Sequence, residues 1–141
     1  MKRILVALDA SERASIVIDA ASRLAELANA TLVLYQAIYV PPHVPAEMLV
    51  PNVSVEDVLV SQAHDILERL AGRVRRELVE QIVTNVAVPW DGVCRTARER
   101  DVDLIVIGSH GYVGLDRLLG TTAAKVVNHA DRNVLVVRTL L

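Results

Sequence analysis

Short runs of Val, Leu and Ile recur along this chain with helix-period segments between them, and that alternation restricts the fold more than any other feature of the sequence. The runs fall at residues 3–8, 31–38, 82–88, 103–107 and 133–138, each long enough for a buried strand and too short for a helix. The first intervening segment, 11–28, puts Val17, Ala21, Leu24 and Ala28 on one helical face, with Ser11 as a plausible N-cap. The second, 54–78, carries a stripe of Leu59, Ala63, Ile66, Leu67, Leu70, Val74 and Leu78, and opens on Ser54 and Asp57 in capping-box spacing. A third helix is expected after Pro89 and Trp90, capped by Asp91 and ending near Arg100, and a fourth over 121–129. Strict β-α alternation predicts right-handed crossovers. The expected fold class is therefore α/β, an open five-stranded parallel sheet of Rossmann-like type with helices on both faces. In such sheets ligands bind beyond the carboxyl ends of the strands.

Composition narrows the function classes. A chain of 141 residues predicts a single domain over 1–141. Apolar residues make up 52% yet Phe is absent, so the core must be built from Val, Leu, Ile and Ala, as suits a parallel sheet. The formal net charge of -2 offers no basic field, which argues against nucleic-acid partners and against an anionic membrane. The opening apolar run is broken by Asp9 before it could serve as a signal peptide, and no stretch approaches the roughly 18 apolar residues of a membrane span. Cys94 is the single cysteine, so no internal disulfide is available. These features fit a cytoplasmic protein without membrane insertion. Pro41, Pro42, Pro45 and Pro51 interrupt residues 39–53, which read as an irregular excursion, either a linker into the long helix or a lid over a ligand.

The chemistry concentrates after the fourth strand. Gly108, Gly111 and Gly114 leave the strand end, and Gly120 opens the last helix ahead of Thr121 and Thr122. Glycines let a backbone approach a ligand closely, while a helix start presents unpaired N-H groups and partial positive charge, so this stretch reads as an anion site. Charge-assisted hydrogen bonds contribute about 1.5 to 3 kcal/mol each; a few of them with base burial reach the roughly 8 kcal/mol of micromolar binding. Asp9, at the end of the first strand beside the expected switch point, can accept hydrogen bonds from a ribose or an adenine amine; an Asx turn at the first helix is the equally simple alternative. His110 sits within the loop, either near ribose and phosphates or facing solvent, and carries no catalytic assignment. His43, His64 and His129 are scattered without metal-ligand spacing to Cys94. No P-loop, G-x-G-x-x-G or G-x-S-x-G motif occurs, which removes support for hydrolase and dehydrogenase readings.

Gly108, Gly111 and Gly120-Thr121 resemble the G-x2-G-x9-G-[S/T] signature of the universal stress proteins, in their nucleotide-binding branch, with one departure: eight residues, 112–119, stand where nine are expected. The likeness runs from Asp9-Ala10-Ser11 after the first strand to the closing run that opens at Asn133 and ends at Arg138. The resemblance implies an adenine nucleotide alpha hydrolase-like fold that binds ATP, or AMP or ADP, with or without magnesium. It implies further that Ala7, Asp9 and Ala37 line the adenine and ribose pocket and that the phosphates lie on Gly111, Gly120, Thr121 and Thr122. A homodimer through strand 133–138, by antiparallel pairing of its edge, also follows, as does an unidentified protein partner. Three functions stay open at this stage. They are a nucleotide-dependent regulatory protein of the stress response, a dimeric interaction module whose short loop has lost the nucleotide, and a slow ATPase or phosphotransferase.

Overall fold

The computed structural model describes residues 1–40, 51–109 and 120–139. Five parallel strands form one sheet: β1 (Arg3–Ala7), β2 (Thr31–Ile38), β3 (Val79–Val86), β4 (Leu104–Gly108) and β5 (Asn133–Val137), in the order β3-β2-β1-β4-β5. Four α-helices alternate with them: α1 (Ala14–Ala28), α2 (Val55–Ala71), α3 (Pro89–Glu99) and α4 (Thr121–His129). The chain is an α/β protein of the expected parallel, Rossmann-like kind. Successive strand side chains point to opposite faces, and two cores result. Ile4, Val6, Leu32, Leu34, Leu104 and Val106 pack against α1 and α2, while Leu5, Val33, Tyr35, Ile105 and Ile107 pack against α3 and α4.

Several boundaries differ from the sequence expectation, each for a local reason. Helix α1 begins at Ala14, with Arg13 and not Ser11 at the cap position. Ser11 is instead held in an Asx turn, its N-H and hydroxyl both donating to Asp9 Oδ1 at 2.9 and 2.6 Å. Helix α2 stops at Ala71 because Gly72 weakens the helix there; Val74 and Leu78 stay buried through a turn and a 3-10 segment, Arg76–Leu78, that continues the apolar stripe without continuing the helix. Ser54 does cap α2, accepting from the Asp57 N-H at 3.3 Å. Strand β3 starts at Val79, three residues before the expected start, and ends at Val86. Helix α3 is capped by Val88, since Pro89 already has the backbone angle of a first helical residue; Asp91 pairs with Arg95 one turn on. The proline-rich segment 41–50 lies outside the described residues.

At the amino ends of the strands, polar clamps tie the sheet together. Arg3 reaches Glu80 through both Nε and a terminal nitrogen at 2.8 Å, and Thr31 Oγ1 donates to the same carboxylate at 2.7 Å. Asp103 Oδ2 accepts from the N-H groups of Lys2 and Arg3 at 2.6 and 2.9 Å. The hydrogen bond from Arg3, then that from Thr31, holds the Glu80 carboxyl below its ordinary range; the two backbone donors do the same for Asp103. A carboxylate whose folded pKa is depressed stabilises the protein above its unfolded pKa, and that contribution disappears as pH falls through the folded value. We therefore expect stability to decline as pH drops below about 4, and to decline less steeply in a Glu80→Gln/Asp103→Asn variant. Urea midpoints measured from pH 6 to pH 3 check this; parallel curves for the two proteins would contradict it.

Candidate functional site

The sheet's strand order reverses between β1 and β4, and the helices α1 and α4 that come next among the described residues pack on opposite faces, opening a crevice. A cavity of about 370 Å³ occupies it, within the usual size range of small-molecule sites. Its floor is formed by Ala7 and Ile107, at the ends of β1 and β4, with Tyr35, Gln36 and Ala37 of β2 on one side. Asp9, Arg13, Ala14 and Val17 contribute the α1 wall, Pro89 and Val93 the α3 wall, and Gly120, Thr121, Thr122 and Ala123 the α4 wall.

Of the residues singled out in the sequence, the structure brings Ala7, Asp9, Ala37, Gly108, Gly120, Thr121 and Thr122 around this one cavity. His110 and Gly111, with the rest of 110–119, lie outside the described residues. Gly120 occupies the N-cap of α4 with φ -61°, an ordinary angle, and makes no side-chain cap. The leading amides of α4 therefore have no partner within the helix, and its first turn carries no acidic residue. Gly108 has a packing role of its own: a Cβ there would stand 3.0 Å from Val17 Cγ2 and 3.3 Å from Thr139 Cγ2. Asp9 belongs to the Asx turn and to the cavity wall together, so the two readings of that residue are compatible.

Other wall residues were not legible in the sequence. Arg13 donates from Nε to the Thr139 carbonyl at 3.1 Å, and the Thr139 N-H donates to Ser109 Oγ at 3.2 Å, so the segment after β5 is fastened across the end of β4 onto the start of α1. A cation at a helix start opposes the helix dipole, and that misfit was the one available signal for Arg13. Tyr35 is fully buried, its hydroxyl donating to Asn85 Oδ1 at 2.7 Å; burial pushes its phenol above the ordinary value, against the opposing hydrogen bonds of Thr96 and Asn85. Lys125, a candidate phosphate neighbour on sequence grounds, lies 6.0 Å from the centre of the Trp90 ring and is not part of the cavity wall. Trp90 packs against the α3-α4 core, its ring 4.6 Å from that of His129.

The sequence model of the universal stress protein family matches residues 1–138. This chain belongs to that family. Universal stress protein A homolog 1 of Coxiella burnetii is 36% identical over 141 residues, spanning 96% of this chain and 95% of the relative. Among solved structures, the universal stress protein UspA from Lactobacillus plantarum superposes with a TM-score of 0.75 at 25% identity, covering 97% of each chain. A universal stress protein in complex with cAMP shares the fold, with a TM-score of 0.74 at 24% identity over 99% of this chain and 98% of its own.

Proposed function

We propose that this universal stress protein holds an adenine nucleotide, ATP foremost, and acts by nucleotide-dependent binding of a protein partner. The base and ribose would rest against Ala7, Asp9 and Ala37, and the phosphates on the opening turn of α4 at Gly120, Thr121 and Thr122, with Gly108 at the end of β4 and His110 and Gly111 beyond it contributing. The single observation behind this reading is that the ends of β1 and β2 and the opening turn of α4 line one cavity. That pairing of an apolar slot with an anion-binding helix start suits a nucleotide. The cAMP complex of a protein with the same fold agrees with it. Because the first turn of α4 has no carboxylate, magnesium would enter with the triphosphate and not on a protein ligand there. The loaded and empty states would differ in the surface offered to the partner. We assign a homodimer to the edge strand β5, where Leu135 is exposed.

One observation favours a second reading, an interaction module without nucleotide: the eight-residue spacing of 112–119. Calorimetric titration of nucleotide-stripped protein with ATP and magnesium separates the two. The nucleotide reading expects a micromolar Kd, weakened at least about 10-fold by Gly120→Leu, whose side chain would fill the phosphate approach. The absence of both released nucleotide and binding heat would transfer the assignment to the interaction module.

A further inference from the structure

Among the described residues, two buried side-chain polar atoms have no hydrogen-bond partner: Gln36 Oε1 and Thr139 Oγ1. Both residues line the same cavity. Unmatched buried polar atoms are costly and therefore rare, so two around one cavity require an explanation. An occupant that supplies the missing partners is one. Gln36 stands on β2 and Thr139 just beyond β5, with β1 and β4 between them, which is a span of about 14 Å at the usual strand spacing. The two residues thus stand toward opposite ends of an elongated cavity.

Building on the nucleotide reading above, we propose that Gln36 is the residue that recognises the exocyclic amine of the base. It adjoins Ala37 at the base end of the cavity, and the hydrogen bond from Leu8 N-H to the Tyr35 carbonyl, 2.8 Å, fixes this part of β2 against the end of β1. A primary amide carries an acceptor beside two donors, the pattern that pairs with the amine and neighbouring ring nitrogen of adenine. Its terminal torsion is soft, so the unpartnered carbonyl turns toward the cavity at little cost. Thr139, 3% exposed and next to Ser109, places its hydroxyl at the other end, where a sugar or phosphate oxygen can accept from it.

The test compares ATP with purine riboside triphosphate, which lacks the 6-amino group, on the wild-type chain and on Gln36→Met. The wild type should bind ATP about 10-fold more tightly than the analogue. In Gln36→Met, ATP should weaken by a similar factor while the analogue changes little, so that most of the preference is lost. The empty variant should melt no lower than the wild type, because methionine has a similar shape and leaves no unmatched oxygen. Retention of ATP affinity and preference by the variant would overturn the role of Gln36 alone. Failure of the wild type to bind either nucleotide would overturn the nucleotide reading, and this role with it.

Discussion

Gly92→Ala is expected to destabilise the protein by about 2 to 3 kcal/mol, although alanine is the better helix former by about 1 kcal/mol. Gly92 is buried in α3, and a Cβ built on it would lie 2.2 Å from Tyr35 Oη and 3.0 Å from the Cβ of Ala87. The tyrosine cannot retreat, since its ring is fully buried and its hydroxyl is bound to Asn85. Either the helix lifts from the sheet or the hydrogen bond breaks. Tyr35→Phe removes the closest clashing atom, so the cost of Gly92→Ala should shrink in that background. Urea unfolding of the four proteins of this cycle measures the coupling; strictly additive effects would show that the hydroxyl is not what excludes a side chain at position 92.

The second large effect is expected at Leu67. Helix α2 runs for 17 residues, but the side chains it buries fully are those of Ala63 and Leu67, with Leu70 and Ala71 partly covered. Leu67→Ala should therefore cost about 3 kcal/mol, from lost transfer energy and the cavity left behind. Because so few side chains hold α2 to β2 and β3, the loss should be local first. Native-state hydrogen exchange should show α2 amides opening well below the global unfolding free energy while β1 and β4 keep their protection. Equal acceleration throughout the chain would mean that α2 does not open separately.

How much of this was legible in the sequence depended on whether a segment's role is continuous along the chain. β2 and α4 have the bounds the pattern predicts, Thr31–Ile38 and Thr121–His129, because one is buried on both faces and the other follows a glycine. β3 lies at Val79–Val86 and not 82–88 since it is an edge strand whose opening residues, with Glu80 and Gln81, interrupt the apolar run. The same division holds for the cavity. Asp9 and the glycines stand at a strand end or in a recognisable spacing, so residue order points to them, whereas Ala7 and Ala37 came only with the family resemblance. Gln36, Arg13 and Thr139 are ordinary polar residues until the parallel order β2-β1-β4-β5 collects them, and nothing in their neighbours' identities announces that.

The chain's single tryptophan has a practical meaning for anyone who follows this protein by light. Trp90 is packed with the α3-α4 core beside His129, while Leu67 of α2 belongs to the core on the other face of the sheet. Tryptophan fluorescence is therefore a one-sided reporter: it senses the face that carries α3 and α4, opposite the face that α2 covers. Circular dichroism weighs both faces by their helix content. Where the two signals part company, the difference between them is the spectrum of a molecule open on one side only.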